Sequence, residues 1–171
     1  MKRQHRRSEV DGLVSMYGWV VQTRASLHAF LARVPWAALS SEVPALGHGS
    51  VRNLLVHTAS AYRWWLDAFV RGLEMPQLEG GQYESLAAVQ AEFAGIDRLV
   101  RKFLRDHEGS LDEPRRHPVP WEQKVFTATP RWLFTHVVTH EFHHKGQVVT
   151  IARQLGFPPV ETDLATPKRW S

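Results

Sequence analysis

Apolar side chains along this chain recur at helical rather than strand spacing. From Val10 to Val34 they fall at Val10, Leu13, Val14, Tyr17, Val20, Val21, Leu27, Phe30, Leu31 and Val34, and Pro35 closes this first predicted helix. Residues 35–50 hold two prolines, two glycines and several serines and read as a connection ending in Ser50, a helix N-cap. A second helix follows to about Gly72, with Val51, Leu54, Leu55, Thr58, Ala61, Trp65, Ala68 and Phe69 as its core positions. Gly80 and Gly81 precede a third, whose Leu86, Val89, Phe93, Ile96, Val100 and Phe103 alternate by three and four and make a narrow bundle seam before Gly109. Pro114, Pro118 and Pro120 forbid continuous helix between 110 and 128, where Trp121 to Phe126 is expected in a short hairpin arm. The last helix starts at Thr129 and Pro130, a cap followed by proline, and ends at Gly156 with Pro158 and Pro159 beyond.

Helices over about 10–34, 51–72, 83–108 and 130–155, joined by connections longer than the shortest bundle turns, predict an all-α four-helix bundle with at least one crossover connection. A chain of 171 residues that is 43% hydrophobic supports one core, so a single domain over 1–171 is expected, with residues 1–9 as a flexible basic tail. No apolar run approaches the roughly 20 residues that span a bilayer, so no membrane partner is expected. MKRQHRRSEV has the charged start of a signal peptide without its apolar region, and the expected location is cytoplasmic. The chain has no cysteine, which excludes disulfides, thiolate ligands and a cysteine nucleophile. Any thiol chemistry must therefore use a thiol brought by a substrate. The formal net charge of +4 draws on Lys2, Arg3, Arg6 and Arg7 in the tail, which reads as a solvated terminus, and nucleic acid is not expected as a partner.

The chemistry concentrates on the last helix. His136, His140 and His144 repeat every four residues and share a face with Leu133, Val137, Val148, Ile151 and Leu155, so the imidazoles point inward with the apolar stripe. Buried ring nitrogens need partners, and a metal ion supplies one. Two imidazoles at i and i+4 reach one ion with Zn–N distances near 2.1 Å. Three in a row span about 12 Å, so one ion takes two of them and leaves the third as packing or outer support. On the second helix His57 lies with Leu54, Ala61, Trp64 and Ala68 at the edge of the apolar face, which brings an imidazole from a second helix into the bundle.

The pairing of NLLVHTASAYRWWL with HVVTHEFHHKGQVVTIARQLGFPPVETDL resembles the DinB/YfiT-like superfamily, most sharply in the H-H-[RK]-G-Q signature at His143, His144, Lys145, Gly146 and Gln147. The likeness in layout covers residues 10 to 165. It implies an up-down-down-up four-helix bundle, a homodimer, and one zinc or nickel ion on His57, His140 and His144. Lys145 stands where arginine is common in the family, and it touches no implied ligand. His136 and His143 are then packing or supporting residues, and Gln147 a hydrogen-bonding residue near the site.

Three imidazoles leave a coordination position open, as catalytic sites do. Members of the resembled superfamily include transferases and isomerases that use small thiols such as bacillithiol, mycothiol or glutathione. The resemblance thus implies a metal-dependent S-transferase or detoxification enzyme whose partners are a small-molecule thiol and an electrophilic substrate, with Trp64 and Trp65 as pocket walls or core. Two other readings stay open. His140-Glu141-Phe142-His143-His144 also spells the H-E-x-x-H pattern of zinc peptidases, with Glu141 as general base, although Gln147 and Thr150 depart from the longer form of that motif. In the bundle reading Glu141 is instead a surface or supporting carboxylate beside the ligand face. The other open reading is a non-catalytic metal-binding protein connected with stress.

Overall fold

Three of the four long helices start at a side chain that accepts a hydrogen bond from the first turn: Ser50 from Asn53 N–H, Ser85 from Ala88 N–H, and Thr129 from Trp132 N–H. The structure is a computed structural model that describes residues 2–43, 47–74, 78–122, 124–159 and 161–164, with side chains from Glu9 onward. Met1 and residues 165–171 of the expected domain lie outside the described residues. Helix α1 spans Lys2–Leu31, and a short α2 spans Trp36–Ser40. Helix α3 spans Val51–Arg63 and continues through a wide turn over Trp64–Ala68 to Phe69–Arg71. Helix α4 is Leu86–Asp106; strands β1 (Arg115–Val119) and β2 (Lys124–Ala128) form an antiparallel pair; and α5 is Pro130–Gln154.

Several boundaries differ from those expected. Helix α1 begins at Lys2 rather than Val10, because the basic segment contains neither proline nor glycine and its residue types sustain a helix already nucleated downstream. At its other end α1 stops at Leu31, ahead of Val34, since the residue before Pro35 is disfavoured in helical conformation. Arg33 and Val34 close the turn with bonds to Phe30 and Leu31 carbonyls, and Pro35 caps α2. Helix α4 starts at Leu86 instead of 83, because Ser85 offers the capping oxygen while Tyr83 stays extended. The hairpin begins earlier than Trp121, with Arg115 opposite Ala128 and Val119 opposite Lys124. A two-stranded ribbon has only edge strands, which is where Pro118 is tolerated.

Contacts between side chains fix the helix directions. Arg63 pairs with Glu92, and Leu66 and Val70 lie beside Leu99 and Phe103, so α3 and α4 run parallel. Trp65 meets Trp132 whereas His57 meets His140 and His144, so α3 and α5 are antiparallel. Tyr17 packs on Phe134 and Arg24 on Glu141, making α1 parallel to α5; Arg24 reaches Asp97 and His28 reaches Phe93, making α1 antiparallel to α4. The bundle is therefore up-down-down-up, with α1 and α3 each packed against α4 and α5. A parallel α3–α4 pair requires the connection to run back along a helix about 31 Å long, and the 13 residues from Leu73 to Ser85 reach about 43 Å when extended.

The core between the helices includes Val20, Leu31, Leu54, Tyr62, Ile96, Leu104, Leu133, Phe134 and Ile151, all essentially inaccessible. One polar network crosses it. Arg24 donates from Nε to Glu141 Oε1 (2.7 Å), from Nη2 to Glu141 Oε2 (3.0 Å) and from Nη1 to Asp97 Oδ1 (2.7 Å). Tyr62 donates to Glu141 (2.6 Å) and Tyr17 to Asp97 (2.8 Å), so α1, α3, α4 and α5 are joined through one guanidinium. Among the described residues no helix is long and apolar enough to cross a membrane.

Candidate metal centre

Two facing helices supply the first three imidazoles. His57 sits in the second turn of α3, and His140 and His144 sit one turn apart on α5, which runs past it in the opposite direction. His57 Nε2 lies 3.2 Å from His140 Nε2, and His144 Nε2 lies 3.2 Å from the same atom. Two nitrogens each held about 2.1 Å from one ion are about 3.0–3.4 Å apart for coordination angles between square and tetrahedral, so these separations suit a shared ion.

Protonation favours the same use. Burial, and then the neighbouring imidazoles His48 and His144, push His57 down to about 4. Burial followed by the surrounding histidines pushes His140 down to about 3. Burial also lowers His144, against the opposing pull of its Gln147 hydrogen bond. All three rings are neutral at pH 7 and offer lone pairs. An amide oxygen only accepts, so the 2.6 Å contact between His144 Nδ1 and Gln147 Oε1 places the His144 proton on Nδ1 and turns a bare Nε2 toward the cluster. His140 cannot satisfy the group alone. A proton on its Nε2 leaves the buried Nδ1, which has no partner among the described residues, as an orphan acceptor, and a proton on Nδ1 leaves the bare Nε2 atoms of His140 and His144 facing each other at 3.2 Å. A cation placed among the Nε2 atoms would satisfy those lone pairs, with the His140 Nδ1 proton directed away from it, so the residues fit a metal ion.

A fourth imidazole joins from a place the sequence pattern does not mark. His48, in the connection before α3, stacks on His57 with ring centroids 4.0 Å apart and meets His144 edge-on at 5.4 Å. One nitrogen from each of His48, His57 and His144 lies within 4.8 Å of the others. Helical periodicity finds residues on helices, and His48 lies on none; its only local hint is the Gly47-His48-Gly49-Ser50 turn just before a cap.

The remaining expected residues have distinct surroundings. His136 stacks on Trp132 (4.9 Å, 9° between planes), meets Trp65 at 5.0 Å, and lies 5.8 Å from the His140 ring. His143 is exposed and touches the His144 ring edge at 5.0 Å. Trp65 belongs to the aromatic group beside His136, whereas Trp64 is buried against His117 and Trp121 of the hairpin. Glu141 is buried, not on the surface, and both its oxygens are held by Arg24 with Tyr62 on one of them. Lys145 is buried as well: its ammonium donates to the Thr162 carbonyl and pairs with Asp163 at 3.5 Å, fastening the segment after α5. A cavity of about 390 Å³ between that segment and α5, lined by Phe142, Lys145 and Arg153 among others, includes none of the four clustered histidines.

The fold and the site together define an up-down-down-up helical bundle with a histidine cluster at facing helices, an arrangement that fits a metal-binding protein. Residues 3–171 match the DinB family, and the chain belongs to that family. It is also 28% identical over 115 residues to the Bacillus subtilis (strain 168) protein described as uncharacterized protein YizA, an alignment covering 66% of this chain and 70% of that one.

Proposed function

We propose that the protein is a metal-dependent enzyme that joins a small thiol to an organic electrophile, with one zinc or nickel ion held by His57, His140 and His144. The observation that carries this reading is the convergence of the His57, His140 and His144 Nε2 atoms, with His140 Nε2 3.2 Å from each of the other two and a bare His144 Nε2 turned toward it. An ion bound there would supply a Lewis acid able to make a thiol or water nucleophilic near neutral pH. The sulfur forms a bond to the electrophilic carbon, the thiol proton passes to solvent, and the leaving group departs with its electron pair.

The chain's own residues have supporting roles. Gln147 holds the His144 tautomer, and His136, packed between the rings of Trp65 and Trp132, lies beside His140 and offers an organic substrate apolar contact near the site. The absence of cysteine means that the thiol is a cosubstrate. The peptidase reading finds less support, because a general base needs a carboxylate free to face the reacting water, and Glu141 is committed to Arg24 and Tyr62. A homodimeric, cytoplasmic protein belongs to the same proposal.

The test is metal analysis of the purified protein followed by a panel of small thiols, each offered with an electrophile. One equivalent of metal and metal-dependent thiol consumption are the expected results. Bound metal without turnover of any thiol would replace the enzyme by a non-catalytic metal-binding protein, and peptide cleavage that collapses in Glu141→Gln would replace it by a peptidase.

A further inference from the structure

His48 enters the cluster by a route independent of the two helices. Its backbone is fixed: the His48 carbonyl accepts from Ser50 N–H (3.0 Å) and from Asn53 Nδ2 (2.9 Å), and the Asn53 side-chain oxygen in turn accepts from Arg52 Nε (3.1 Å). Gly49 follows at φ +75°, a left-handed conformation that L side chains rarely adopt, and it turns the chain sharply into the Ser50 cap. The result aims a half-buried imidazole back over His57 and against His144. A plain packing role would be met by an aliphatic or phenyl group. What an imidazole adds is a nitrogen, and the nitrogens of His48, His57 and His144 already lie within 4.8 Å of one another. The edge of a tetrahedral four-nitrogen site is about 3.4 Å, so side-chain torsion within the pinned connection has little more than an ångström to close.

We propose that His48 is a fourth, displaceable nitrogen donor to the ion held by His57, His140 and His144. This rests on the metal-site reading given above. Three donors on rigid helices hold the ion, while the fourth, on a connection, occupies the position an incoming ligand must take. The resting site is then closed by the chain itself, and a thiol or other donor enters by exchanging with the His48 imidazole, which returns to its stack on His57.

The experiment uses the full chain, stripped with chelator and titrated with cobalt(II), with visible absorption as the readout and affinity taken from competition with a chromophoric chelator. Wild type should bind one equivalent with the intense band of a four-coordinate site. His48→Ala and His48→Gln, with helical circular dichroism unchanged, should still bind one equivalent, at least about tenfold more weakly and with an altered band. Added imidazole should restore the wild-type band in His48→Ala, while the same concentration leaves wild type unaltered. Identical spectra and affinities in wild type and both variants would overturn the proposal and leave His48 as a stacking residue. Failure of wild type to bind cobalt, or undiminished binding in His57→Ala, would instead overturn the three-histidine site itself and this inference with it.

Discussion

Replacing Arg24 by methionine removes the one cation at the centre of the core network and leaves its shape roughly filled. In the wild type the guanidinium is 5% exposed and donates to both oxygens of Glu141, to Asp97 and to the Tyr17 hydroxyl. After the change Glu141 keeps only the Tyr62 hydroxyl and Asp97 only Tyr17, so two carboxylates lose their counter-charge, one of them well buried. Breaking a buried pair by removing one partner costs about 3–5 kcal/mol, a large part of the roughly 5–15 kcal/mol that a domain has in total. Urea unfolding of metal-free protein at pH 7, followed by far-ultraviolet circular dichroism, should show a midpoint lower by about 2 M for a slope of about 2 kcal/mol per M. Glu141→Gln leaves the Arg24–Asp97 pair in place and weakens charge-assisted bonds instead of removing the cation, so its cost should be smaller, about 1–3 kcal/mol. Both variants should keep one equivalent of metal, because the network's bonds run among Arg24, Glu141, Asp97, Tyr17 and Tyr62 and none of them goes to His57, His140 or His144. A loss below about 1 kcal/mol in Arg24→Met, or loss of metal in Glu141→Gln, would refute this division between a structural carboxylate and the histidine site.

Gln147→Ala removes the acceptor that fixes the His144 tautomer, and metal affinity measured by chelator competition should fall about 10–100-fold with the fold intact. His28 is buried with an unpartnered Nε2, and burial, then the nearby Arg24 charge, pushes it down to about 4. Its folded-state value lies below the unfolded value of about 6.5, so the unfolded chain binds the extra proton: stability should fall as pH drops from about 6.5 to 4 and be unaffected above, by up to about 3 kcal/mol. His28→Leu should lessen the slope of that part of a stability-against-pH curve from chemical denaturation, the rest belonging to His57 and His140, which burial lowers in the same way. At Gly80 an added Cβ would stand 2.0 Å from Asn53 Oδ1, so Gly80→Ala must displace the side chain that pins the His48 carbonyl. Thermal melting should change little, because a flexible side chain can yield, while cobalt affinity should drop toward that of His48→Ala.

Helix existence and the inward direction of His57, His140 and His144 were legible in the sequence because both depend on local periodicity: 3.6 residues per turn place i and i+4 on one face whatever the partner helices do. Caps were legible for the same reason, since Ser50, Thr129 and Gly156 act within one turn of themselves. Boundaries set by competition were less so: the sequence shows Pro35 but not that α1 gives way four residues before it, and the basic start of α1 carries no apolar pattern to announce a helix. Helix directions rest on contacts such as Arg63–Glu92 and Arg24–Asp97 between residues 29 and 73 positions apart, and spacing along the chain cannot encode them. The fate of Glu141 was likewise a tertiary decision. Its neighbour His140 made it resemble a general base, and only the packing of α1 and α3 against α5 turned its carboxylate onto Arg24 and Tyr62. His48 lies outside every helix, so no periodicity could aim its ring. A connection pinned by Asn53 and turned at Gly49 brings it over His57, and that geometry exists only once the chain has folded.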